Sequence, residues 1–335
     1  MSQPPSAAAP PWWIWVVIVC ATIGISFAGV LLQNELQDTP PISRACWRLS
    51  LTTLFLLPLA AWEFSGFWKL SDHRSKMRER KTWIILIISG LALGVHFAAW
   101  VWSLDLTSLA HSLLFVTTSP VMILIGNAIL KTHRASYLEI GGVLTSVLGA
   151  GITLIDIRED AEVTAKGDAL AFLGALSIVF HIACGRTLRS WMPTSVYALP
   201  VTFFAAIFLA IFAAIFDERT PVFGWSSSDK AGWFVLLAFV SGIIGHTGFN
   251  LALGYVSPIV VSISTTMEPV IGTFIGWLTY KTSPPGVFTS IGGPLLLAGI
   301  VCVIKAGEAT NRQAVDDPSI VVVEQTGADP ELAPS

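Results

Sequence analysis

Ten apolar runs, each long enough to cross a bilayer, fill most of this chain, and only short polar breaks separate them. They read as residues 12–32, 43–62, 83–103, 109–130, 137–157, 168–188, 196–216, 232–253, 257–280 and 286–305. A spanning helix needs roughly 20 apolar residues. Lipid offers no partner to a backbone N–H or C=O, so such a run must close its hydrogen bonds within a helix or a closed barrel. A barrel would show short alternating segments, whereas these runs are continuous. Composition points the same way: of 335 residues, 53% are hydrophobic and 12% charged, against about 25% charged in a soluble protein. The 19 Lys+Arg and 22 Asp+Glu cannot coat a soluble surface of this size. That excludes a typical soluble enzyme, a disordered chain and a nucleic-acid binder. The expected fold class is all-α and integral to the membrane, with ten transmembrane helices.

The flanks differ from this body. Residues 1–11 carry no charge and no basic n-region of a signal peptide, so a disordered N-terminus is expected and the first helix should stay in the mature protein. Residues 306–335 shift to polar and acidic composition and are expected to form a disordered tail. Turn and charge signals mark the breaks, among them Asp38-Thr39-Pro40-Pro41, the stretch from Lys69 to Lys81, Arg158-Glu159-Asp160 (within a linker at 158–167), Asp217-Glu218-Arg219 and Ser283-Pro284-Pro285. Placing the Lys69–Lys81 cluster in the cytoplasm puts twelve Lys and Arg inside and seven outside, Arg44 and Arg48 among the seven. Both termini are then cytoplasmic, as in a multi-pass protein of the plasma or inner membrane. Cys20, Cys46, Cys184 and Cys302 lie scattered in apolar runs without metal spacing and read as packing residues.

The chain repeats itself. Ile88-Ser89-Gly90 matches Val240-Ser241-Gly242, the stretch from Ser108 to Ser119-Pro120 matches that from Ser257 to Glu268-Pro269, and Gly141-Gly142 matches Gly292-Gly293, at offsets of 149 to 152 residues. The units are 12–157 and 168–305, five helices each. Five is odd, so the second unit enters the membrane from the opposite side. Inverted repeats of this kind are a common plan of secondary transporters, with the substrate site near the midplane between them. A duplicated scaffold or sensor without transport would look the same, and an intramembrane enzyme is a more distant reading.

Ionisable residues inside spans are few, and each is a functional candidate. Glu268 lies well inside the ninth run, and Ser264, Glu268, Gly272 and Gly276 share a stripe at i+4 spacing. Pro269 removes the donor for the Thr265 carbonyl, which water, substrate or a neighbour must then meet. Glu268 is a candidate for coupling transport to a proton gradient or for holding a substrate amino group; a structural carboxylate is the alternative. The first repeat has Ser119-Pro120 at the matching position, with Ser112 on the same face. His96 and His246 are 150 residues apart, and Trp100 and Asn250 follow each by one turn. They can line a cavity with Ser112, Ser119, Ser264 and Glu268, or simply be buried side chains bonded to backbone carbonyls. Arg44 and Arg48 read as snorkelling to the interface. Asp105 and Asp168 read as helix caps. Of the tryptophans, Trp12, Trp13, Trp83 and Trp225 suit interface belts, while Trp47, Trp100, Trp102 and Trp277 sit deeper.

No His-Glu-x-x-His, Gly-x-Ser-x-Gly, P-loop or Gly-x-Gly-Asp signature is present, so no catalytic role, cofactor or metal is expected, and the partners are lipid and a small-molecule substrate. The chain resembles the drug/metabolite transporter superfamily, EamA type with two EamA domains, over about residues 12–305. The resemblance rests on Ala45-Cys46-Trp47-Arg48-Leu49, on His96-Phe97-x-x-Trp100-x-x-Ser103-Leu104-x-x-Thr107-Ser108, on Thr117-Thr118-Ser119-Pro120, and on Gly167-Asp168, Gly185-Arg186, Gly245-His246-Thr247-x-x-Asn250-x-x-Leu253 and Glu268-Pro269. It implies two inverted five-helix repeats around a central cavity walled largely by helices three, four, eight and nine. It also implies alternating-access transport, typically export, of small metabolites such as amino acids. The chain departs from the family where helices four and nine often end in Gly-Glu: here they end Leu130-Lys131 and Tyr280-Lys281. Pro294 is expected to interrupt the tenth helix.

Overall fold

Lipid as solvent accounts for the architecture. The structure is a computed structural model that describes residues 10–107, 109–156, 163–217, 224, 229–281 and 284–316, the last seven by backbone only. Among the described residues ten helices are long and apolar enough to span: α1 Trp12–Asn34, α2 Pro41–Phe67, α3 Arg80–Ser103, α4 Leu109–Leu130, α5 Tyr137–Leu154, α6 Ala165–Arg189, α7 Thr194–Phe216, α8 Ala231–Ala252, α9 Pro258–Tyr280 and α10 from Val287. A short amphipathic helix, Ser71–Arg78, lies between α2 and α3. Large apolar side chains cover the outside, with Leu148 60%, Phe180 58% and Leu278 72% exposed. That surface is tolerable only against acyl chains.

The ends follow local chemistry. Pro41, Pro120, Pro258 and Pro269 open helical segments at positions that lack an intrahelical donor anyway. The Ser136 hydroxyl caps α5 by accepting from Glu139 N at 3.1 Å. Thr164 caps α6 by accepting from Gly167 N at 3.0 Å, so α6 begins at Ala165 and Asp168 is not the cap. Asp168 instead accepts from the Thr107 hydroxyl at 2.7 Å. Pro294 does not interrupt α10, which runs unbroken to Asp316. Residues 306–316 are therefore helical rather than part of a tail, and the tail from 317, residues 1–9 and the charged breaks at 158–160 and 218–219 lie outside the described residues.

The two repeats pack as a pseudo-two-fold requires. α5 lies along α10, α2 along α7, and α3 against α6 as α8 lies against α1. Glycines make the closest seams. A methyl added at Gly149 would sit 2.5 Å from Leu296 N and 2.7 Å from Gly292 O, and one at Gly142 would sit 2.8 Å from Gly299 O. Backbones can approach this closely only where no Cβ intervenes, which is how helices associate without a hydrophobic drive. α2 and α7 cap one another. Ser43 N and Oγ, at the start of α2, donate to Asp217 at the end of α7 (2.6 and 2.8 Å). Ser195 N and Oγ, at the start of α7, donate to Glu63 near the end of α2 (2.8 and 2.6 Å). Each carboxylate thus satisfies orphan donors at a partner's positive end. Asp156, just past α5, does the same for Thr289 N in α10 at 2.5 Å. Burial alone would push its carboxyl up, but the N–H groups of Thr289, Phe288 and Gly286 hold it below the usual range.

The seam is testable. Gly149→Ala is expected to destabilise the protein by about 1–3 kcal/mol through overpacking against backbone, seen as a lower midpoint of thermal unfolding in detergent. Gly141→Ala, next to Gly142 but about 100° around the helix, with nothing within 4 Å of the added methyl, is expected to be neutral. Equal midpoints for the two variants would contradict the seam.

Candidate functional site

α4 and α9 break at matching points. α4 is Leu109–Val116 and Ser119–Leu130; α9 is Pro258–Thr265 and Glu268–Tyr280. Proline at the second residue of each later segment withholds a donor, and hydroxyls fill the gap. Thr117, Thr118 and Ser119 donate to the carbonyls of Leu114, Phe115 and Val116 at 2.6–2.8 Å. Thr265 and Thr266 donate to Ser262 and Ile263 carbonyls at 2.7 and 2.6 Å. Thr266 also meets Ser146 of α5 at 3.1 Å, which ties the break to the α5/α10 seam. Both later segments end at a left-handed lysine, Lys131 (φ 52°) and Lys281 (φ 54°).

A cluster of polar side chains is drawn from both repeats. The rings of His96 (α3) and His246 (α8) sit 6.4 Å apart, centroid to centroid. Phe97 packs on His246 at 5.0 Å and Trp100 lies parallel to His96 at 6.3 Å. His96 Nδ1 donates to the Gly174 carbonyl of α6 at 2.9 Å, so the neutral ring keeps Nε2 as an acceptor. α8 reaches this point as a π-helix over Ala238–Thr247, with Thr247 Oγ1 donating to Gly242 O at 3.0 Å. Its counterpart α3 is regular, and π segments concentrate at functional sites. Glu268 is the first residue of the second half of α9 and 8% exposed. Its charged neighbour is Arg48 of α2.

Arg48 overturns the snorkelling expectation. It is 1% exposed and its guanidinium lies over the Phe97 ring at 4.4 Å, inside the bundle. It starts seven residues into α2, roughly 10 Å along the axis at 1.5 Å per residue, and turns inward. Arg44 does not snorkel either: it is buried and paired with Asp105, which is thereby an ion-pair partner rather than a cap. Neither arginine belongs in a tally of loop charges.

Of the other residues singled out in the sequence, Asn250 is buried, with its side chain near His181 of α6. His181 Nδ1 lies 3.0 Å from Ser89 Oγ, which lies 2.8 Å from Tyr197 OH. This chain links α8, α6, α3 and α7. Sequence reasoning passed over His181 because its repeat equivalent is Leu31, so no symmetry marked it. Ser112, Ser119 and Ser264 are buried, but Ser112 pairs with Ser103 at 2.9 Å, and Ser119 and Ser264 each donate to a carbonyl of their own span. No described contact joins these three hydroxyls to the histidine cluster. Trp47 and Trp100 are buried, whereas Trp277 is 41% exposed on the outer face; Trp225 and Ser108 lie outside the described residues. Among the described residues no group of three His, Cys, Asp or Glu is arranged to hold a metal ion.

The comparisons with known proteins follow the same outline. The profile of the EamA-like transporter family matches residues 11–155 and 165–305, close to the two repeats. Among solved structures, one crystal structure superposes with a TM-score of 0.69 at 16% identity, covering 89% of this chain and 98% of the other, a likeness of fold. No curated protein gives a significant match.

The Arg44–Asp105 pair yields a prediction. Asp105→Ala leaves a buried cation unpaired, at a cost of about 1–3 kcal/mol given the partial exposure of Asp105. Adding Arg44→Met should recover most of the lost melting midpoint; no recovery in the double variant would show that the pair is not the cause.

Proposed function

This chain belongs to the EamA-like transporter family, and from that premise we propose that it is a secondary transporter carrying a small metabolite, such as an amino acid, by alternating access, in the direction of export. The observation that carries the reading is the meeting of repeat-related residues at the centre. His96 and His246, far apart in sequence, lie 6.4 Å apart, and Arg48, over Phe97 of the same cluster, has Glu268 of the broken α9 as its charged neighbour. Polar and ionisable groups are costly at membrane depth and persist there where they serve a pathway. Here Arg48, His96, Asn250 and Glu268 are each no more than 8% exposed, so a solute reaches them only when the repeats part on one side. A scaffold or sensor has no need of such a group of charges. An enzyme would need a nucleophile with an activating base open to substrate, and the Ser89–His181 contact is instead taken up in a buried chain with Tyr197.

Within this reading His96, Trp100, His246, Asn250 and Glu268 face the solute. Ser112, Ser119 and Ser264 shape the breaks in the walls. Glu268 is the coupling candidate: it can hold a proton in one state and release it in another. The basic segment from Lys69 to Lys81 and both termini face the cytoplasm of a plasma or inner membrane, following the excess of Lys and Arg on that side.

Two experiments test this. In proteoliposomes loaded with a metabolite panel, the wild type is expected to move at least one solute, with the rate responding to an imposed pH gradient. Glu268→Gln is expected to keep downhill exchange and lose gradient-driven accumulation; a wild-type rate at every pH would remove Glu268 from coupling. A single cysteine at Ser75 is expected to resist a membrane-impermeant thiol reagent in intact cells, and strong labelling there would reverse the orientation.

A further inference from the structure

We infer that Arg48 is the group that receives the substrate, and that the substrate therefore carries a carboxylate. This rests on the transporter reading above and adds the chemical class of its cargo. All three guanidinium nitrogens of Arg48 are buried without a hydrogen-bond partner among the described residues. The other arginines held inside the bundle each have a partner: Arg44 Nη2 meets Asp105, though its Nε has none among the described residues, Arg186 meets the carbonyls of Leu253 and Val256, and Arg189 those of Asn250 and Met192. Arg48 has only the Phe97 face beneath it, at 4.4 Å. Stacking on one face leaves the edges of the planar fork, with its five N–H donors, open. Fork geometry matches a carboxylate in bidentate fashion.

A second donor waits nearby. The Trp100 indole Nε1 is also buried and unpartnered, and Trp100 stacks on His96, which packs edge-on to Phe97. An indole N–H can only donate. Each of these two buried donor groups lacks an acceptor among the described residues. Glu268 is electrostatically close to Arg48 but makes no hydrogen bond or ion pair with it. A structural pair would close that gap, because an uncompensated buried charge is strongly unfavourable. The charges also fix the size of the anion's charge. With Glu268 protonated, Arg48 leaves one positive unit, which a singly charged carboxylate neutralises and a dianion overbalances. The facing ionisable groups are Glu268, His96 and His246.

Purified full-length protein in detergent tests this by probe-dependent shifts of the melting midpoint. The probes are three sets matched in side chain. Leucine, 4-methylpentanoate and 3-methylbutylamine form one. Alanine, propanoate and ethylamine form the second. Phenylalanine, 3-phenylpropanoate and 2-phenylethylamine form the third. In at least one set a carboxylate-bearing member is expected to raise the midpoint and the amine is not. R48Q is expected to melt no lower than wild type without probe, since it removes an unpartnered buried charge, and to bind the same carboxylate at least tenfold more weakly. R48K, which keeps the charge and loses the fork, should fall between. The inference is overturned if an amine shifts the midpoint as much as its carboxylate partner, if no carboxylate in the three sets shifts it, or if R48Q, R48M and R48K all unfold, which would make Arg48 structural. Flux measured beside binding separates the two readings. Carboxylate binding without flux contradicts the transporter, while flux of amines alone contradicts Arg48.

Discussion

A hydrocarbon solvent donates and accepts no hydrogen bonds, and each device that holds this molecule together answers that constraint. Backbone meets backbone at Gly142, Gly149, Gly292 and Gly299 because packing contact replaces hydrophobic association between α5 and α10. The same logic recurs at Gly24, where a methyl would meet Val240 O at 2.7 Å, and Ser241 crosses the seam to donate to the Gly24 carbonyl at 2.6 Å. Helix ends that water would satisfy in a soluble protein are satisfied here by carboxylates of the opposite repeat, Asp217 for α2 and Glu63 for α7. These reciprocal caps lock the repeats in register as well as in contact.

The breaks in α4 and α9 follow from the same need. A proline in mid-membrane strands the carbonyl four residues before it, and at Pro120 the Ser119 hydroxyl returns a donor to Val116. Before Pro269 the Thr265 and Thr266 hydroxyls close on Ser262 and Ile263 instead. Each break stays helical enough to cross the bilayer. Symmetry then fails where chemistry is placed. Ser119 closes its own turn, while Glu268 at the matching position presents a carboxylate to Arg48. α3 is regular where α8 is a π-helix, which brings His246 against Phe97. Repeats supply the frame, and departures from repetition supply the centre. The centre is also where the rule of satisfied polar groups is relaxed, at Arg48 and at the Trp100 indole.

Apolar run length and the repeat offset by themselves determined the ten spans, the two five-helix units and the pairing of His96 with His246 as equivalents, because a period and a length are properties of the chain alone. The Asp38-Thr39-Pro40-Pro41 break was legible as well, although the helix starts at Pro41 itself rather than at 43. Pro294 was misread as an interruption: on the exposed side of α10 it costs one hydrogen bond and does not stop a helix that the bilayer enforces. Only the tertiary structure decided what the polar residues meet. Spacing along α2 cannot say whether an arginine turns outward to headgroups or inward over Phe97, since both directions satisfy one helix equally. Nor can one span reveal that His181 reaches Ser89 and Tyr197 from two others, or that Ser112 is spent on Ser103. Those outcomes depend on which faces of separate helices are pressed together, and in lipid, where apolar faces do not choose their partners, glycine seams and buried hydrogen bonds make that choice.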